Sequence, residues 1–238
     1  FFICMIKLYY NVYWRRNMLL EDGRKLIEPL VGRRFRELLS EEQMSNIIKN
    51  KGKSGQLLEI LLGLKNSNTT LDFEDGELKT NKCDKNGRPL ETMFITQISG
   101  LIDELLSEKN FYESRLFKKV KNLLYVPISK DGQPSDWFIL SVIHVNLDDK
   151  KFAELRNHLE KDYYEICRKL KEHIETSKDG FIHTSNGDFI QIRSKDSKPY
   201  FPIYSEIYKK YVSNKNHAFY FKKDFMKYIL KASMEGEF

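Results

Sequence analysis

Residues 72–80 read Asp-Phe-Glu-Asp-Gly-Glu-Leu-Lys-Thr, an acidic cluster followed at once by Glu77-Leu78-Lys79. Alternation along a strand turns Glu77 and Lys79 to one face and sends Leu78 back toward a core. A carboxylate and an ammonium on one face, with a second carboxylate arriving from the preceding turn, can hold a divalent metal and position a water. That set of groups suits hydrolysis of a phosphodiester. On spacing alone, a solvated charged strand accounts for the triplet equally well.

Such a strand needs a core behind it, and the chain carries the pattern for one. Leu26, Ile27, Leu30, Phe35, Leu38 and Leu39 recur at helical spacing over residues 21–40, with Pro29 as a kink or boundary. A helix is expected over residues 56–62, where Glu59 interrupts an apolar run; an acid there is either exposed or buried for a purpose. Asn86-Gly87 reads as a hairpin turn. Met93 to Ile98 reads as a strand, 101–107 as a helix and 111–121 as a basic helix. Leu123 to Pro127 and Trp137 to Val145 read as buried strands. Phe152, Leu155, Leu159, Tyr163, Ile166, Leu170 and Ile174 mark the longest helix, over 149–174. Phe181–Thr184 and Asp188–Arg193 are expected to pair around Ser185-Asn186-Gly187. Ala218–Phe221 follows as a strand and 223–232 as a closing helix. This is a mixed α/β pattern without repeats or a linker long enough to force two independent domains.

The 238 residues suffice for one sizeable core, and 41% hydrophobic with 31% charged residues describes a globular protein. Forty basic residues face 34 acidic ones, a net charge of +6. The surplus concentrates between Gln191 and Lys227, where nine basic residues, interleaved with Tyr and Phe, meet three acids. A polyanionic partner suits such a segment. The cysteines (Cys4, Cys83, Cys167) lie far apart, which suggests neither a zinc knuckle nor a disulfide framework and fits a reducing, cytoplasmic compartment. The five histidines show no paired metal-ligand spacing. Residues 1–14 are aromatic and apolar but too short and interrupted to span a membrane. Residues 1–17 read as a possible upstream extension, with Met18 a plausible start.

Taken in order, the blocks of residues 50–232 resemble the MutH family of DNA endonucleases and the related Sau-type restriction enzymes that cut at GATC. Lys51-Gly52-Lys53-Ser54-Gly55-Gln56-Leu57-Leu58-Glu59-Ile60-Leu61-Leu62-Gly63 is similar to the family's K-G-x-x-G-x-L-L-E-x-x-L-G helix. Asp72-Phe73 with Glu77-Leu78-Lys79-Thr80 is similar to its D-F…E-L-K-T metal motif, and Gly87-Arg88-Pro89-Leu90-Glu91-Thr92-x-Phe94 to the segment that follows. Asp188-Phe189-Ile190-Gln191-Ile192-Arg193 and Phe219-Tyr220-Phe221-Lys222-Lys223-x-Phe225 are similar to its two C-terminal DNA-reading segments.

The resemblance implies a restriction-endonuclease-like (PD-(D/E)XK) α/β fold, with a mixed central sheet flanked by helices. It implies one endonuclease domain over 18–238, whose basic part at about 181–232 reads DNA. Asp72 and Glu77 would ligate Mg2+, and Lys79 would orient or help deprotonate the attacking water. Glu59 would sit beside them, and Lys119 would lie against the scissile phosphate. Arg193 would read base edges through a guanidinium that can bond two guanine acceptors at once. Tyr220 would sense adenine methylation; strand alternation turns it away from Phe219 and Phe221. Lys51, Lys195, Lys222 and Lys223 would contact phosphates. The implied partners are double-stranded DNA with either a mismatch-repair activator protein or, for a type II restriction enzyme, a cognate methyltransferase. An inactive DNA-binding module is the remaining alternative. The gap between Asp72 and Glu77 is shorter than the family's, which makes Asp75 a rival ligand, and Ser194 stands where the MutH branch usually has Pro.

Overall fold

A computed structural model describes residues 18–49, 58, 62, 71–195 and 198–236. The chain divides into two compact units, neither a continuous run. The first takes in the chain up to Glu91 together with Asn122–Val145; the second takes in Thr92–Lys121 and Asn146–Glu237.

In the first unit, β1 (Glu77–Cys83) runs parallel to β3 (Asn122–Ser129), with Glu77 opposite Leu123 and Lys79 opposite Tyr125. β3 is buried from Leu123 onward, as a strand covered on both faces must be. It also pairs antiparallel with the short β4 (Phe138–Ile139), and β5 (Ile143–Asn146) pairs with it as well. The single strand expected over Trp137 to Val145 is therefore two, separated by Leu140–Val142. Helix α1 (Leu20–Ile27) has Glu21 and Asp22 in its first turn and Arg24 and Lys25 in its last, which complements the helix dipole. Pro29 then opens a 3-10 turn, as the sequence indicates, and α2 (Phe35–Leu38) and α3 (Glu41–Lys49) follow. Leu20, Ile27, Phe35, Phe73, Leu78, Leu124, Val126 and Ile139 form one core behind β1 and β3.

The turn before β1 is clamped to α1. Phe73 is buried against Gly23, where an added Cβ would come within 2.5 Å of the ring. The Glu74 amide donates to Met18 O at 3.0 Å, and Asp75 Oδ1 accepts the Leu20 amide at 2.8 Å. Asn122 Nδ2 donates to Asp75 O at 2.7 Å. Asn86-Gly87 does make a tight turn, with Gly87 at φ 83°. It leads to a single bridge between Cys83 and Pro89, with the Leu90 amide donating to Lys82 O at 2.9 Å.

In the second unit an antiparallel sheet runs β2 (Met93–Gln97), β10 (His217–Phe221), β7 (Ile190–Ser194), β6 (Ser185–Asn186). Ser185 opposes Ile192, so β6 begins later than the expected Phe181–Thr184 pairing and the turn is Gly187–Phe189. Helices α4 (Ile102–Leu106), α5 (Arg115–Val120), α6 (Ala153–Thr176) and α7 (Lys223–Met234) lie where the apolar spacing indicates. α6 packs on β6 and β7 through its buried stripe. A separate hairpin, β8 (Ile203–Ser205) with β9 (Lys210–Ser213), occupies a stretch the sequence pattern leaves unassigned. No helix among the described residues is long and apolar enough to cross a membrane.

Gly76 closes the clamped turn at a point with no room for a side chain. A Cβ there would stand 2.5 Å from Leu20 Cδ1 and 2.7 Å from the Asn122 carbonyl oxygen. Gly76→Ala should therefore cost about 1–3 kcal/mol, the usual penalty of overpacking. Urea unfolding followed by circular dichroism checks this; an unchanged midpoint would contradict the clamp.

Candidate active site

The strand geometry brings Asp72, Glu77 and Lys79 together. Leu78 is buried in the core, and Glu77 and Lys79 project from the other face of β1. Glu77 is only 2% exposed, and its Oε2 accepts from Lys79 Nζ at 2.6 Å. Asp72 Oδ2 accepts the Leu78 amide at 3.0 Å, which swings its carboxylate in beside that of Glu77. Burial, then repulsion from Glu77, pushes the Asp72 carboxyl up to about 6, and Lys79 offsets only part of this. Asp75 Oδ1 instead accepts from the Leu20 amide, the first of α1.

Two oxygen-ligand side chains that repel one another, Glu77 buried and Asp72 half-buried, form a fitting seat for a hard divalent cation. Among the described residues, no cluster of three or more Asp, Glu, His or Cys side chains comes together. An ion at Asp72 and Glu77 would therefore complete its shell with water, backbone or phosphate oxygens, as Mg2+ does readily.

The second unit carries a different constellation on its sheet. Met93, Ile95, Ile190, Ile192, Phe219 and Phe221 are buried on the core side. The intervening positions Phe94, Gln191, Arg193 and Tyr220 share the opposite face, which is the separation alternation predicts for Tyr220. The Arg193 guanidinium lies 4.4 Å from the Tyr220 ring centroid, and Phe94 meets Tyr220 edge to face at 5.7 Å. Lys195 Nζ sits 5.0 Å from the Phe94 centroid. Two adjacent rings lie between two cations along this row, Arg193–Tyr220–Phe94–Lys195, which offers both a hydrogen-bonding fork and apolar faces.

A family model described as DNA mismatch repair enzyme MutH matches residues 62–157, the stretch that contains Asp72, Glu77 and Lys79. A protein of Buchnera aphidicola subsp. Baizongia pistaciae named DNA mismatch repair protein MutH is 28% identical over 212 residues, covering 86% of this chain and 93% of that relative. A protein of the same name from Shewanella woodyi is 38% identical over 90 residues, covering 37% of this chain and 38% of that relative. Over these stretches the chain is similar to MutH proteins.

The remaining sequence-derived residues fall in several places. Glu59 and Lys51 lie outside the described residues. Lys119 is half-buried on α5, in the second unit. Lys223 is exposed at the start of α7. Lys222 has structural work: its Nζ donates to Gly187 O at 2.7 Å and its amide to Phe189 O at 2.7 Å.

The sequence reading missed Asp162, which is fully buried on α6. Its carboxylate accepts the amides of Asp188 at 2.6 Å, Phe189 at 2.6 Å and Ile190 at 3.0 Å. Gly187 must lack a Cβ because one would fall 2.3 Å from Asp162 Cγ. Asp162 thus fastens the turn from which β7 carries Arg193. The signal was available: Asp162 falls on the apolar stripe of its helix, between Leu159 and Ile166.

The raised Asp72 carboxyl has a defined consequence for metal-free protein. Its folded value of about 6 exceeds the unfolded value of about 3.9, so its stabilising contribution is complete below pH ~4 and is lost as pH rises through 6. With chelator present, Asp72→Asn should be more stable than wild type at pH 8 by roughly 1–3 kcal/mol. That advantage should shrink toward pH 5. Denaturant melts across this range test it, and a pH-independent difference would contradict the repulsion.

Proposed function

We propose that the protein is a Mg2+-dependent mismatch-repair endonuclease that nicks duplex DNA at GATC-like sites on the unmethylated strand. The observation that carries this reading is the Asp72–Glu77–Lys79 cluster on and before β1, supported by the names of its relatives. Asp72 and Glu77 would hold the Mg2+. When bound, that ion would neutralise charge building on the phosphate and make its water more acidic. Lys79, already held by Glu77, would orient the attacking water and offset charge developing at phosphorus. Glu59 and Lys119 keep the roles that the family resemblance implies, beside the carboxylates and against the scissile phosphate.

For recognition we assign Arg193 to guanine edges and Tyr220, with Phe94 beside it, to sensing methyl groups on adenine. In the free protein the guanidinium rests on the Tyr220 ring, so base reading would require it to leave that ring or to use its outer edge. Lys195 and Lys223 are the proposed phosphate contacts, with Lys51 assigned the same role by resemblance; Lys222 we assign to holding the Gly187 turn. The family model and both relatives carry MutH names, which favours the repair branch over the Sau-type restriction branch and over an inactive binding module. We place the protein with the cytoplasmic repair machinery, acting with an activator protein.

Plasmids with unmethylated, hemimethylated and fully methylated GATC sites, incubated with Mg2+, test the proposal. Open-circular product from the first two and none from the third is expected, with Glu77→Ala lowering the rate about 100-fold or more. Linear product from the hemimethylated plasmid with wild type and no added protein would contradict the nickase reading. Undiminished cleavage by Glu77→Ala would contradict the metal assignment.

A further inference from the structure

The hairpin of β8 and β9, with its approach, carries five large apolar side chains at the surface. Tyr200, Phe201, Tyr204, Ile207 and Tyr211 are each 40–60% exposed, within twelve consecutive residues. Single exposed apolar residues are ordinary, but a cluster of them marks a surface that meets something. Tyr204 and Tyr211 are cross-strand partners whose rings meet edge to face at 5.3 Å, so each props the other up in solvent. The turn beneath them is braced. Asp103 Oδ1 accepts from Ser205 Oγ at 2.6 Å and its Oδ2 accepts the Glu206 amide at 2.9 Å, while Ser205 Oγ accepts the Tyr208 amide at 3.2 Å. The rings are therefore presented on a fixed frame.

The surrounding charge narrows the occupant. Lys198, Lys209, Lys210 and Lys215 are exposed over residues 198–215, with Lys198 beside the Tyr200 ring. Glu206 pairs with Lys209, while Asp103 and Glu175 are taken up by bonds to Ser205 and to the Tyr208 hydroxyl, which leaves the segment basic. Protein interfaces are depleted in lysine. Surfaces for single-stranded nucleic acid pair lysine and arginine with open aromatic rings, because phosphates repeat beside stackable bases. A duplex hides its base faces in its own stack and would leave these rings without a use. We propose that the β8–β9 hairpin is a platform for single-stranded DNA, with bases stacking on Phe201, Tyr204 and Tyr211 and phosphates held by Lys198 and Lys210. This surface is separate from the residues assigned to cleavage and base reading and does not depend on those assignments.

Fluorescence anisotropy with a fluorescein-labelled oligo(dT) of about twenty nucleotides tests it, using the full chain in chelator so that nothing is cut. Wild type should bind this strand more tightly than an equally long duplex lacking GATC, with affinity falling as salt rises. Tyr204→Ala/Tyr211→Ala should weaken oligo(dT) binding about tenfold or more, and Phe201→Ala alone by a smaller factor. Binding to a GATC duplex should change less than about twofold. Thermal melts confirm that each variant is folded, and Phe201→Ala carries the test should the double variant fail to fold. A preference of wild type for the duplex lacking GATC, or wild-type oligo(dT) affinity in the folded aromatic variants, would overturn the proposal. A dimer in sedimentation velocity that Tyr204→Ala/Tyr211→Ala abolishes would overturn it in favour of a second copy as the occupant.

Discussion

Asp72 and Glu77 are carboxylates held side by side, where burial and repulsion from Glu77 push the Asp72 carboxyl up to about 6. Two carboxylates free to move would separate into water or share a proton. Here the backbone forbids separation. Glu77 is fixed by the pairing of β1 with β3, and Asp72 is drawn inward by the Leu78 amide. The turn between them is clamped at Phe73, Glu74 and Asp75 by the first residues of α1, and again through Asn122 at the start of β3. Lys79 supplies one positive charge, bonded to Glu77 and leaving Asp72 raised. The remaining electrostatic deficit is what the proposed Mg2+ would relieve.

A second buried carboxylate in the same chain shows the contrast. Asp162 is as inaccessible as Glu77, yet it accepts three backbone amides from one turn. A carboxylate saturated by fixed amide donors is a fastener. A carboxylate with one amide and a repelling neighbour is poised to take a cation or a proton. Asp162 fixes the turn that leads into β7, and at the far end of that strand Arg193 lies over Tyr220. The two units thus use the same functional group for opposite purposes, one to hold backbone and one to attract charge.

Much of this was legible in the residues. The alternation Glu77-Leu78-Lys79 specifies which side chains share a face, and the apolar spacing of α6 locates the longest helix within a few residues. The placement of Tyr220 opposite Phe219 and Phe221 follows from the same rule. That Asp75 bonds the Leu20 amide was not legible, because that partner lies 55 residues away. Asp162 escaped notice because its partners are backbone amides from residues 26–28 positions later, and backbone donors leave no mark in side-chain composition. The split of the Trp137 to Val145 segment and the β8–β9 hairpin were hidden for a related reason. Short strands of two to four residues offer too few alternations to read.

The central claim is that Asp72 and Glu77, with Asp75 excluded, make the cation seat. Calorimetric titration of Mg2+ into the metal-free full chain tests it most directly. The account predicts a saturable binding event that Asp72→Asn and Glu77→Gln each abolish and that Asp75→Asn, once shown to be folded, retains. Binding that survives Asp72→Asn but disappears in folded Asp75→Asn would contradict it.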